Sequence, residues 1–108
     1  MAQVLYRLVE ANPPTLRDFM SYRALGRPLV NEANRDIWEG ISVQNTLAQA
    51  RNRAKVLRGK THVAILEIPD DPPVRCERTG EHRGHFTLWG VPHVLLSYIR
   101  DVVRVDAS

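Results

Sequence analysis

The chain has 108 residues, 44% of them hydrophobic and 25% charged, proportions that fit one folded domain and exclude a disordered or fibrous polymer or a second independent core. Its formal charge of +3 comes mainly from arginines scattered along the sequence, without the block of like charge that marks a nucleic-acid-binding tail. The single cysteine, Cys76, excludes an intramolecular disulfide, and no run resembles a signal peptide or nears the roughly 20 apolar residues of a membrane helix, so a cytoplasmic protein with no membrane partner is expected.

Val4 to Val9 is apolar except for Arg7 and is ended by Asn12-Pro13-Pro14, which predicts a strand buried on both faces. Thr15 followed by Asp18 has the spacing of a capping box and predicts a helix continuing through Leu25 until Gly26 stops it. A short helical turn carrying Trp38 follows over Asn34 to Glu39, then a brief strand over Ile41 to Val43. Thr46 with Gln49 repeats the cap signature, and Leu47, Ala50, Ala54 and Leu57 recur at helical spacing before Gly59. The opposite face of that helix carries Arg51, Arg53, Lys55 and Arg58.

His62 to Ile68 is almost continuously apolar and β-branched, the mark of a central strand. Val74 to Arg78 and His85 to Trp89 predict a hairpin joined through Thr79 to Gly84. Pro92 opens a final helix to about Ile99, and Val102 to Val105 is the closing strand. The order predicts an α+β fold: a single small domain over residues 1–108 with a mixed, mostly antiparallel sheet and about three helices.

Arg7 is the sharpest candidate for function. A guanidinium in an apolar strand is costly to bury unless a carboxylate or a ligand anion compensates it, and Glu67, Glu77 and Glu81 are the acids considered as its partner. Ser42 and Thr46 stand where a strand gives way to a helix, a place where hydroxyls either cap the helix or cradle a ligand. His85, Thr87 and Trp89 alternate with Phe86 and Leu88, so one face of that strand is polar and aromatic, either a solvent face or a ligand wall. Among the acids Glu77 is preferred for chemistry, because alternation directs it away from the core on a strand. Cys76, His82, His85 and His93 match no paired metal-ligand spacing, and Cys76 reads as a small core residue; no metal is expected.

With LYRLV, GISVQNTLAQARNRA, HVAILEIP and a later glutamate in this order, most of the chain resembles the small bacterial ADP-ribosyltransferase-like domains. The resemblance implies NAD as cofactor. Arg7 would orient it, Ser42 would support the nicotinamide-ribose pocket, and Glu77 or Glu81 would hold the ribose hydroxyl. Thr46, His85, Trp38 and Trp89 join the implied cofactor-binding set, with Trp38, Trp89 or Tyr98 stacking on nicotinamide. Loss of nicotinamide passes through an oxocarbenium-like state that a carboxylate stabilises, so the expected activity is transfer or hydrolysis of ADP-ribose, in the manner of a toxin held by an antitoxin. The competing expectation is a non-enzymatic module whose basic helix face contacts nucleic acid or an acidic protein. A homodimer is the third reading, if the apolar final helix is exposed.

Overall fold

The computed structural model describes residues 3–69, 74–80 and 84–106. Six strands form one sheet in the order β4-β5-β2-β1-β3-β6, with β1 Gln3–Val9, β2 Ile41–Gln44, β3 His62–Ile68, β4 Arg75–Arg78, β5 His85–Trp89 and β6 Ile99–Arg104. Three α-helices accompany it: α1 Arg35–Glu39, α2 Leu47–Ala54 and α3 Pro92–Ser97. This is the α+β architecture expected. Every ladder is antiparallel, so the described sheet has no parallel component.

Strand alternation sorts side chains onto two faces. One face presents Leu5, Val9, Ile41, Val43 and Leu66, covered by Phe19 and by Leu95 of α3. The other presents Leu8 and Val63 to Ala50 of α2, with Leu47 and Ala54 packed alongside. The sheet therefore has a core on each side, which explains why β1 and β3 read as continuous apolar runs. Leu95 is buried and Leu96 packs against the same core, so α3 spends these apolar residues on the sheet instead of presenting them to a second copy.

The helix expected over 15–25 is only a 3₁₀ turn, Leu16–Phe19. Phe19 is 1% exposed but Leu16 is 51% and Tyr22 52% exposed. No continuous apolar stripe exists to hold a longer helix against the sheet, and docking of one phenylalanine outweighs local propensity. The Asp18 carboxylate turns back to accept from the main-chain N–H of Thr15 and of Glu10, each at 2.9 Å. Beyond Met20 the chain re-forms a separate turn, with the Leu25 N–H donating to the Ser21 carbonyl at 2.9 Å and Gly26 at φ +79°.

At the other end α3 stops at Ser97 and β6 starts at Ile99, earlier than Val102. The Glu67 N–H donates to the Tyr98 carbonyl at 2.9 Å, which draws the chain onto the sheet edge, and a register shift at Ile65/Leu66 absorbs the offset. Helix α2 ends at Ala54, short of Gly59. Its cap is as predicted: Thr46 Oγ1 accepts from the Gln49 N–H at 3.1 Å. Replacing Thr46 with alanine is expected to cost about 1 kcal/mol, read as a lower urea midpoint with an unchanged m-value.

Candidate functional site

The ladder between β1 and β2 consists of one pair, Tyr6 opposite Gln44. Continued, that register would set Arg7 opposite Val43 and Leu8 opposite Ser42; instead the strands splay. A cavity of ≈420 Å³ occupies the opening, walled by the 17–27 segment on one side of the sheet and by the C-terminal end of α2 and its following turn on the other. Gly40 lies on this wall, where a Cβ would come within 2.5 Å of the Thr87 methyl and 2.9 Å of the Trp89 indole nitrogen. Only glycine allows β2 to begin so close to β5.

Arg7 reaches into the opening. By alternation it shares the face of Leu5 and Val9, and its Nε donates to the Asp18 carbonyl at 3.0 Å while Nη1 donates to the Ser42 carbonyl at 2.8 Å. Both acceptors are neutral. Among the described residues no carboxylate lies within ion-pair distance of its guanidinium. Glu67 pairs with Arg100 at 3.6 Å and Glu77 with Arg75 at 3.4 Å, so neither of these two acids serves Arg7. Burial lowers the Arg7 pKa from its ordinary value to about 10, outweighing the favourable influence of Tyr22, Asp18 and Glu10.

The cleft collects further positive charge. Arg7, Arg17, Arg27, Arg53, Arg58 and Lys60 line it against two carboxylates, Glu10 and Asp18. That local excess of four exceeds the net +3 of the whole chain. Both acids are engaged: Glu10 with Lys60 at 3.4 Å, and Asp18 with the two N–H groups of its turn. A concave, low-dielectric wall of one sign concentrates counter-ions of the other, so the arrangement suits an anion.

The predicted residues divide. Arg7, Ser42 and His85 line the cleft. Ser42 is exposed there, and its hydroxyl makes no hydrogen bond among the described residues. His85 is buried; its Nδ1 donates to the Thr79 carbonyl at 2.9 Å, since a carbonyl can only accept, and Nε2 has no hydrogen-bond partner among the described residues. Thr87 is wholly buried and its hydroxyl pairs with that of Thr79, so the polar side of β5 is internal, neither solvent face nor ligand wall at that position.

Thr46 serves the α2 cap and lies outside the cleft lining. Both tryptophans are also outside it. The Trp38 Nε1 donates to the Arg27 carbonyl at 2.8 Å and that of Trp89 to the Asp36 carbonyl at 2.7 Å, with the Arg75 guanidinium 3.9 Å from the Trp89 ring centre. Tyr98 borders a separate shallow depression with Glu67 and Ile99. Glu77 is exposed on edge strand β4, and Glu81 and His82 lie outside the described residues. Cys76 packs partly against the core, and burial followed by the nearby Glu77 raises its thiol pKa, which suits an unreactive thiol.

The basic face of α2 also divides. Arg53 and Arg58 turn to the cleft, whereas Arg51 turns to β6, its Nη2 donating to the Arg104 carbonyl at 3.5 Å. Sequence reasoning missed Arg17, Arg27 and Tyr22 as wall residues. The one available signal was their density around Gly26 in a stretch with little apolar periodicity.

Among the described residues no helix is long and apolar enough to cross a membrane. No protein-family model, curated protein or solved structure significantly matches this chain.

Proposed function

We propose that the chain binds a phosphate-bearing ligand in the cleft between β1 and β2, with Arg7 as its anchoring cation. The observation that carries this reading is the half-buried guanidinium held by two neutral carbonyls in an arginine-lined cavity. Two of its five N–H donors are committed to those carbonyls. The remainder match the bidentate geometry of a phosphate.

The ligand class implied by the family resemblance is a dinucleotide, NAD. What supports that narrower reading is that Arg7 and Ser42 line the same cleft; the 2.8 Å link between them runs to the Ser42 main-chain carbonyl, which any residue there would offer. Glu77 stands in the same transverse row as Ser42, through Thr87. It is two strand spacings away, roughly 10 Å, so a role for Glu77 in bond cleavage requires a ligand that extends across β5. Nicotinamide release should then fall in Glu77→Ala or Glu81→Ala; equal turnover in both variants and the wild type removes the transferase and hydrolase mechanism while leaving binding untouched. The reading in which Arg53 and Arg58 contact nucleic acid or an acidic partner predicts affinity that falls by roughly one log unit per log unit of salt for each phosphate neutralised.

The binding claim itself is tested by a thermal shift with pyrophosphate, since a ligand of the folded state alone raises its stability. The sign of the pH dependence follows from Arg7. Its proton is held less tightly in the folded chain than in the unfolded one, so the charge burdens the folded state near neutral pH, and the burden fades as pH climbs above about 10 towards the ordinary arginine range. A bound anion relieves that burden only while the cation is present. The stabilisation by pyrophosphate should therefore be greatest near neutral pH and shrink as pH passes 10; a rise just as large above that pH places the anion elsewhere.

A further inference from the structure

Tyr22 is the one aromatic side chain among the cleft's described residues that is largely exposed: it lines the cavity and is 52% accessible. The Arg27 guanidinium carbon lies 5.0 Å from its ring centre. Tyr22 and Arg7 line the same cavity, so an aromatic surface and the anchoring cation share one cleft.

The backbone holds this pair in place. The Arg27 N–H donates to the Tyr22 carbonyl at 2.9 Å, the Arg23 N–H donates to the Trp38 carbonyl at 3.1 Å, and the Arg27 carbonyl accepts the Trp38 indole N–H at 2.8 Å. A segment whose main chain is fixed before a ligand arrives needs little backbone ordering on binding. The ring stands half in water beside a cationic pocket, and a planar base would cover it and gain both stacking and the neighbouring guanidinium.

Resting on the phosphate-binding reading, we infer that the ligand is a nucleotide whose phosphate meets Arg7 and whose base stacks on Tyr22, making Tyr22 the residue that distinguishes nucleotides from other phosphates. The two tryptophans do not serve this role, because their indole N–H groups are tied to main-chain carbonyls outside the cleft.

The test compares adenosine monophosphate with ribose 5-phosphate, which lacks the base, by calorimetry at fixed salt on the wild type, Tyr22→Phe and Tyr22→Ala. Wild type should bind the nucleotide about 5- to 100-fold more tightly, the range that stacking of one base supplies. Tyr22→Phe should keep the preference; Tyr22→Ala should lose it while retaining wild-type affinity for ribose 5-phosphate, a readout that a merely unfolded variant cannot give. A wild type that binds both alike, or a Tyr22→Ala that weakens both alike, overturns the assignment to Tyr22 and spares the phosphate site. Binding of neither compound overturns the phosphate site and this inference with it.

Discussion

Replacing Arg7 with glutamine should weaken binding of pyrophosphate by about 10- to 100-fold, the loss expected when a hydrogen bond to a charged group, worth about 1.5–3 kcal/mol, is removed. Glutamine keeps a donor but surrenders the charge and the planar fork that grips two oxygens together. The substitution also removes the links from Nε to the Asp18 carbonyl and from Nη1 to the Ser42 carbonyl, so some loss of stability accompanies it. Two controls separate the effects. Arg100→Gln breaks an exposed pair with Glu67 outside the cleft and should leave affinity unchanged. Arg53→Gln with Arg58→Gln removes charge from the opposite wall without touching those carbonyl links and should weaken binding while leaving the urea midpoint close to wild type. Wild-type affinity in Arg7→Gln would show that the anion binds without Arg7.

Phe19→Ala carries the largest expected loss of stability, about 3–5 kcal/mol, against total stabilities of about 5–15 kcal/mol for domains of this kind. The ring is 1% exposed and belongs to the main core, where it docks the turn that also supplies Asp18. It is the buried apolar side chain of that turn, since Leu16 on the same segment is 51% exposed and Leu16→Ala should change stability by no more than about 0.5 kcal/mol. Urea denaturation of the two variants gives the comparison directly. Because Asp18 presents the carbonyl that Arg7 binds, the phenylalanine also positions the cleft. A saturating ligand should recover part of the lost stability, whereas equal midpoints for the two variants would contradict the packing described.

Much of the sheet was legible because its strands are buried and bounded by strong punctuation. His62 to Ile68 and His85 to Trp89 coincide with β3 and β5, each a β-rich run between breakers. Thr46 was legible for the same reason: a cap is a local interaction, complete within three residues. The segment after Pro14 was not, because its fold rests on long-range links, the docking of Phe19 and the ties of Asp18, Arg23 and Arg27 to other segments, and a local capping signal cannot tell one turn of helix from three. Arg7 was legible as a cation out of place, but the group it meets at position 42 is a main-chain carbonyl, which no side chain in the sequence announces. The surroundings of Arg7 were not legible either. The splay between β1 and β2 is a missing ladder, which leaves no residue signature, and its walls come from arginines and a tyrosine on turns whose placement depends on tertiary contacts. Nor could alternation alone show that Thr87 is sealed beneath Thr79, since a polar strand face turns inward when neighbouring hydroxyls satisfy it.

The sparse connection between β1 and β2 also sets how the molecule can yield. Seven residue pairs lock β1 to β3 and four lock β2 to β5, against one across the middle, so the sheet is two stiff slabs meeting along a weak seam. Rotating one slab slightly against the other would break few of the main-chain pairs, fewer at the seam than within either slab. A guest seated there would bridge the slabs as mortar does, supplying between the halves the cohesion that the chain itself leaves out.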